Sequence, residues 1–393
     1  MLVLALNAGS SSLKFSLLDS IDERQLFHGQ FSWAGSEARY LCRSGQEVVQ
    51  DFELEWRGFP VALERLVAEL SLLLDERPIE FVAHRIVHGG PEFTKPLRIT
   101  SAVETSLELL VPLAPLHLPG SLEVIKAARK ALSQIPHIGV FDTAFHATIP
   151  AVAATYPIPQ QWTERWQIRR FGFHGLSHEY CTNRAYKILE DESPHPRLVI
   201  AHIGSGISIT AVEDGKSIDT TMGFTPLEGM MMATRCGNLD PGLMLYLLRE
   251  CSFTPNELAD GLNFQSGLLG VSGVSGDLRR VIGEATNGHK PSQLAFQIYV
   301  HRLRQGIASM AASMDGLDSL VFTGGVGTHS PLVRSAVSDG LSFLGIEINP
   351  DRNRDCVSDA LISTEESEKQ VLVIETNEEL MLCRHAVQVI MEN

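Results

Sequence analysis

LVLALNAGSSSLKFSL, residues 2–17, is the stretch whose reading decides the fold. Leu2–Leu6 is a short apolar run, Asn7-Ala-Gly-Ser-Ser-Ser12 is made of turn formers, and Leu13-Lys-Phe-Ser-Leu17 alternates apolar with polar. Two strands about a Gly/Ser turn make a β-hairpin. The pattern restarts at an offset of 196 residues: Leu198-Val-Ile-Ala201 matches Leu2-Val-Leu-Ala5, and Gly204–Ser208 falls where Ala8–Ser12 stood. Asp214-Gly215 then supplies a strong hairpin turn. Self-similarity across half the chain points to a duplicated unit, two sheet domains facing one another.

Outward from these hairpins, Phe31-Ser-Trp33 and Val48–Trp56 read as further strands of the first sheet, and Pro60–Asp75 has helical spacing. Ile79–Ala83 is a strand ending in His84-Arg-Ile-Val-His-Gly-Gly90. Ser121–Leu132 reads as a helix, and Ile138–Phe141 as a strand leading into Asp142. In the second half come a helix at Gln293–Met314, a strand at Ser319–Phe322, a glycine loop at Thr323–Gly327 and a last helix from about Thr376. Asp191–Pro196 is the best linker-like break. The central stretch Ser217–Gly242 carries three consecutive methionines and Arg235 with little periodicity. Long irregular segments of that kind are binding loops more often than not; a Met-rich core segment with a surface arginine is the plain alternative.

Bulk properties narrow the classes. A chain of 393 residues implies two domains. A net charge of −15 argues against nucleic acid and acidic membranes, yet local cations can still bind an anionic substrate. Six cysteines without a CxxC pair fit a reduced chain better than a disulfide scaffold or a zinc site. No apolar run reaches the ~18 residues of a membrane span, and Met1–Leu6 lacks a signal peptide's charged start. A soluble cytoplasmic protein is expected.

The turn Asn7–Ser12 is rich in hydroxyls and free N–H groups, and Lys14 can add charge, so it suits an anion. It is not a Walker A loop, because a strand follows where a helix should. A tight hairpin without ligand explains one such turn equally well. Three glycine turns, each after a buried strand, shift the balance toward phosphates and a nucleotide. Arg85 and Arg235 can clamp planar oxyanions. His117 sits between prolines. His174 and His178 have the i,i+4 spacing of some metal sites, but Gly175 between them and the absence of HExxH favour structural hydrogen bonding over zinc. Asp142 ends a strand where an acid can reach a metal-bound phosphate. Thr376 with Glu379 reads as a capping box, which leaves Glu378 free for magnesium.

Taken together these motifs resemble the acetate kinase family, of the sugar kinase, actin and heat-shock chaperone ATPase superfamily. The resemblance spans nearly the whole chain: NAGSSSLKF (7–15), HRIVHGG (84–90), PLAPLH (112–117), FDTAFH (141–146), FGFHGLSH (171–178), DTTMGFTPLEGMMMATR (219–235), SGLLGVSG (266–273) and TNEEL (376–380). It implies an α/β fold of two duplicated ribonuclease H-like (actin-like ATPase) domains with an interdomain cleft. The expected limits are 1–150, completed by a C-terminal helix at about 380–393, and 151–379. It implies a carboxyl-acceptor phosphotransferase, ATP + acetate ⇌ ADP + acetyl phosphate, using Mg²⁺ (Mn²⁺ an alternative), in a homodimer.

Residue by residue, the resemblance implies that Asn7, Ser10, Ser12 and Lys14 form a phosphate hairpin. Arg85 and Arg235 flank the transferred phosphoryl, His174 hydrogen-bonds it, and His117 supports. Asp142 and Glu378 are the acids around magnesium, with Asn7 and Glu378 the metal-site residues and Asp142 also placed to meet Arg235. Val87, Leu116, Phe173 and Pro226 wall the acetate methyl. His202, Ile203, Gly204, Ser205 and Gly206 make the second phosphate loop. Asp277, Leu278, Arg279, Gly325, Val326, Gly327 and His329 make the adenosine side. The chain departs from the family pattern at Ser205 (usually Asn), Thr328-His329 (Glu-Asn), Cys236 (Ser or Thr), Asn238 (Asp) and Glu375 (Pro). Another nucleoside triphosphate or pyrophosphate is the alternative donor. Propionate is the alternative acceptor, and a non-catalytic nucleotide-binding sensor the alternative of another class.

Overall fold

In the computed structural model, residues 1–9, 11–74, 77–189 and 195–392 are described. The chain divides into two compact units, Met1–Ala144 with Asn377–Asn393, and Phe145–Thr376. The limits expected from the sequence lie a few residues from these. Most of the linker-like break, residues 191–194, falls outside the described residues.

The first unit is built on an eight-stranded sheet. Its strands are β1 (Leu2–Ala8), β2 (Ser12–Asp19), β3 (Arg24–Ala34), β4 (Glu37–Ser44), β5 (Glu47–Glu55), β6 (Phe81–Ile86), β7 (Leu97–Arg98) and β8 (His137–Phe141), in the order β5-β4-β3-β2-β1-β6-β8-β7. The expected hairpin is there: β1 and β2 run antiparallel, with Asn7 opposite Lys14, and the turn closes with Gly9 N–H donating to Ser12 O at 2.7 Å. β6 pairs parallel with both β1 and β8. Leu2, Leu4, Leu6, Leu13, Phe15 and Leu17 are buried, and the helix Phe59–Leu73 lays Ala62, Leu63, Leu66 and Leu70 into the same core. Each such leucine contributes about 1.5–3 kcal/mol. The C-terminal helix Glu378–Met391 packs on β1, β6 and β8.

The second unit repeats the plan on six strands: β9 (Leu198–Ile203), β10 (Ile207–Glu213), β11 (Lys216–Thr220), β12 (Ser319–Thr323), β13 (Ala360–Leu361) and β14 (Gln370–Val373), ordered β11-β10-β9-β12-β14-β13. Three antiparallel strands are followed by two parallel ones, as in β3-β2-β1-β6-β8. This is the duplicated ribonuclease H-like order. Asp214 and Gly215 turn the β10–β11 hairpin with φ of 50° and 74°, as a tight hairpin turn with both central residues left-handed requires.

Three local expectations are corrected. β4 lies between the two strands read from Phe31–Trp33 and Val48–Trp56 and was not anticipated. Thr323–Gly327 is not a loop: β12 runs straight into a short helix, Gly324–His329. Gly324 allows this because a Cβ there would lie 2.8 Å from Ile203 O, so no other residue lets the helix start so close to β9. The last helix is capped not by Thr376 but by Asn377, whose Oδ1 accepts from Leu380 N–H at 2.9 Å, while Thr376 Oγ1 is buried without a partner among the described residues.

Candidate active site

In the first unit the parallel register brings Asn7, Arg85 and Asp142 to the carboxyl ends of β1, β6 and β8, where open α/β sheets bind ligands. Arg85 makes a two-pronged pair with Asp142, its Nε donating to Oδ1 at 2.9 Å, and its Nη1 donates to Asn7 Oδ1 at 3.0 Å. Glu378, first residue of the C-terminal helix, stands 3.8 Å from Arg85 Nε. Burial disfavours the guanidinium charge, but Asp142 and Glu378 outweigh it and raise the Arg85 pKa. Arg85 is therefore a fixed cation with its plane set by Asp142. Asp142, which the resemblance implies also meets Arg235, holds Arg85 within the first unit.

Ser12 and Lys14 lie on β2, Lys14 exposed, and Ser10 falls outside the described residues. Val87 is buried just beyond β6, whereas Leu116 is 48% exposed. His117 forms the N-terminal boundary of the helix Leu118–Ala131 without capping it by its side chain.

In the second unit His174 precedes the helix Gly175–Ile188 with φ of 56°, a left-handed conformation that costs a non-glycine residue about 1–3 kcal/mol and is held by its surroundings. Its ring stacks on His202 of β9 at 4.2 Å, and its Nδ1 is 2.9 Å from Ser208 Oγ. Gly206 stands against it: a Cβ there would be 3.3 Å from His174 Nε2 and 3.5 Å from Arg235 Nη2. The imidazole and the guanidinium thus face one spot over the β9–β10 turn.

Arg235 donates to Pro226 O at 2.9 Å, tying together two points of the central stretch nine residues apart. Burial lowers its pKa, though an arginine stays charged at any physiological pH. Both readings of that stretch hold in part: Met230, Met231 and Met232 are core, while Arg235 is half-buried on a cavity wall. Asn238 explains its own departure, since its Oδ1 accepts from Gly229 N–H at 2.8 Å, a task for any carboxylate or amide oxygen.

That cavity, of about 780 Å³, brings together Gly204, Ser205, Arg235, Asp277, Leu278, Arg279, Gly325, Val326 and His329. Ile203 and Gly327 are buried and are not among the residues lining it. Asp277 caps the helix Leu278–Thr286 by accepting from Arg279 N–H at 2.9 Å. Leu268, Ile282 and Tyr299 also line the cavity and were not singled out from the sequence. Their signal was apolar side chains close to a glycine loop, which a core also produces.

A profile of the acetokinase family matches residues 2–384. The acetate kinase of Microcystis aeruginosa is 42% identical over 395 residues, covering 98% of each chain. Among solved structures, a propionate kinase from Francisella tularensis superposes with a TM-score of 0.91 at 36% identity, covering 98% of each chain. The acetate kinase of Porphyromonas gingivalis does so at 0.90 and 36%, covering 99% of each.

The chain belongs to the acetokinase family. As an acetokinase it is a phosphotransferase whose acceptor is a carboxyl group.

Sequence reasoning missed several groups that hold this acetokinase site in place. Arg170 lies over the Tyr156 ring and pairs with Glu228 at 2.9 Å, and Tyr156 also donates to Glu228 and accepts from Phe224 N–H at 2.8 Å. This clamp fixes the loop that carries Pro226. Arg334, fully buried, donates to Gly327 O and Thr328 O at 2.9 and 2.6 Å, which anchors the helix Gly324–His329 from below. Of the i,i+4 pair His174 and His178, both rings meet Ser208 Oγ, and the described residues contain no cluster of three or more metal-ligating side chains.

Proposed function

We propose that the protein is an acetate kinase that uses ATP, transferring the γ-phosphoryl directly and in line to acetate. The observation that carries the reading is the cavity on the second unit, which joins the β9–β10 turn and Arg235 to the capped helix at Asp277 and the short helix at Gly325. An anion-binding end continuous with a broad, partly apolar wall suits a nucleotide and offers more than pyrophosphate needs. Acetate is ionised at neutral pH, so the attacking oxygen needs no general base. The residues must instead align two anions and neutralise charge on the phosphoryl in flight. Arg85, oriented by Asp142, and Arg235 supply two fixed cations. His174 Nε2 supplies a hydrogen bond and His117 support.

Asn7 Oδ1 and Glu378 Oε2 both lie against Arg85, at 3.0 and 3.8 Å. Two hard oxygen donors beside the anion site fit magnesium, which takes one or two carboxylates and otherwise phosphate and water. Asn7 and Glu378 would hold it, with Asp142 nearby, and when bound it screens the phosphate charge. On the acceptor side the resemblance implies that Val87, Leu116, Phe173 and Pro226 wall the methyl group. A valine at position 87 leaves less room than a smaller residue would, which favours acetate over propionate. One methylene is worth only about 1–3 kcal/mol, so propionate will be turned over as well.

We also propose a homodimer. The helices Pro241–Glu250 and Pro255–Phe264 have no buried residue, and Leu243, Leu245, Tyr246, Phe253 and Phe264 are each at least 41% exposed. The family resemblance implies a second copy of the chain as partner, and we assign it to this exposed apolar face. Tyr246→Glu with Leu245→Glu should convert a dimer to a monomer in light scattering; an unchanged mass overturns this. Six free cysteines suit a reducing compartment, the cytoplasm. No helix among the described residues is long and apolar enough to cross a membrane.

Trapping acyl phosphate as hydroxamate across short acids and phosphoryl donors tests the function. Greatest turnover is expected with acetate and ATP. Product with pyrophosphate alone refutes the donor assignment, and higher kcat/KM with propionate refutes the acceptor assignment.

A further inference from the structure

We infer that Ser208 and His178 are positioning residues that set the tautomer of His174, so that its Nε2 carries the proton and is presented as a donor. The inference rests on the proposed role of His174 at the phosphoryl group. Ser208 is fully buried on β10, and its Oγ is 2.9 Å from His174 Nδ1 and 2.7 Å from His178 Nε2. One hydroxyl proton therefore serves two imidazoles. A hydroxyl in that position accepts from one ring and donates to the other.

The direction follows from His178. Burial, with help from His146 and His202, depresses its pKa well below the ordinary value, so the ring is neutral and carries one N–H. Its Nδ1 is buried with no hydrogen-bond partner among the described residues. A proton on Nδ1 would leave a buried donor with nothing to bond. A proton on Nε2 leaves only a bare lone pair there, the lesser fault. His178 Nε2–H thus donates to Ser208, Ser208 O–H donates to His174 Nδ1, and the His174 proton is confined to Nε2. That atom faces the spot over Gly206 that it shares with Arg235 Nη2. With the opposite polarity His174 would present a lone pair to an incoming anion and repel it.

Ring orientation is fixed independently. His202 stacks on His174 with an interplanar angle of 22°, and His202 Nδ1 lies 2.8 Å from Ser177 Oγ. The chain from His178 therefore governs where the proton sits, while the stack governs where the ring points.

The test uses full-length protein labelled with ¹⁵N-histidine, reading the His174 tautomer from long-range ¹⁵N–¹H correlations alongside steady-state kinetics. The wild type is expected to show the Nε2–H form. Ser208→Ala should show a mixture of tautomers and a kcat lower by about tenfold, with the acetate KM changed less than about twofold. His178→Gln keeps an N–H aimed at Ser208 and should keep both the tautomer and most of kcat. His178→Met removes that donor and should behave like Ser208→Ala, and this pair carries the test if Ser208→Ala fails to fold. An Nδ1–H tautomer in the wild type overturns the inference. So does a tautomer shift in Ser208→Ala or His178→Met without loss of turnover, or no change in either quantity. His174→Ala separates the two readings: full turnover there refutes the phosphoryl role of His174, whereas impaired turnover with an unaffected Ser208→Ala refutes the relay alone.

Discussion

Acid should loosen the Phe145–Thr376 unit, and His146 sets the size of the effect. The ring is 1% exposed. Its Nε2–H donates to Phe173 O at 3.0 Å, and its Nδ1 accepts from Ser217 Oγ at 2.9 Å. The backbone closes over it so tightly that a Cβ at Gly172 would lie 2.5 Å from the imidazole. Burial, offset only in part by the Phe173 carbonyl, lowers its pKa from 6.5 to about 4. In the unfolded chain the same ring titrates near 6.5. Between those values the unfolded chain binds a proton that the folded one refuses. The stability contributed is complete above pH 6.5, is lost as pH falls toward 4, and falls no further below that. The gap is worth about 3 kcal/mol, a large share of the 5–15 kcal/mol that holds a typical domain together. His178 of the same unit is shifted in the same direction and adds to the slope. Urea unfolding between pH 7.5 and 4.5 measures this, with amide exchange in Leu198–Ile203 assigning the transition to this unit. His146→Gln can keep the bond to Phe173 but cannot titrate. It should be less stable than wild type at pH 7.5, yet lose about 1.4 kcal/mol less per pH unit on acidification. Parallel stability curves for the two proteins would refute the argument.

Arg235→Ala should lower turnover by about 10³-fold or more, as removing an arginine from a transferring phosphoryl does, and near-normal turnover would sink its assignment. Asp142→Asn takes the buried carboxylate from the half-buried Arg85 and should cost about 3–5 kcal/mol in stability, read by denaturant titration, together with a lower kcat; a loss under about 1 kcal/mol contradicts the fixed-cation argument. Gly206→Ala places a Cβ 3.2 Å from His174 Cε1, so turnover should fall by at least about tenfold while the melting temperature barely moves; equal turnover would mean that the spot is not used. Asn377→Ala should destabilise by about 1 kcal/mol through loss of the helix cap, while Thr376→Val, which removes a partnerless buried hydroxyl, should be neutral or stabilising in the same melts.

How much of this was legible depended on whether a signal was local. The hairpins were readable because a strand, a small-residue turn and an alternating strand occupy consecutive positions, and their repetition exposed the duplication. β4 was missed although EARYLCRS alternates, with Ala38, Tyr40 and Cys42 buried and Glu37 and Arg39 exposed; none of the three buried residues is a branched aliphatic, so its strand signal is weaker than that of Leu13–Leu17. Thr376 was mistaken for the cap because Thr-x-x-Glu and Asn-x-x-Leu compete one residue apart, and only the entry angle of the chain decides which oxygen reaches the helix N–H groups. Glycines 324, 325 and 327 read as a loop because glycine is a poor helix former; the close approach of β9 overrode that propensity.

The same division runs through the site. Arg85, Arg235 and His174 were found because they stand in recognisable motifs, but what orients them lies far away in sequence. Asp142 is 57 residues from Arg85, and Ser208 is 34 residues from His174. The motif text names the groups that meet substrate. The groups that fix their planes and protons become visible only when β1, β6 and β8, or β9 and the helix at Gly175, are brought side by side. For a reaction that needs no general base, that orientation is most of what the protein contributes. A variant such as Ser208→Ala, silent in every motif, should therefore behave more like a damaged active site than like a repacked core.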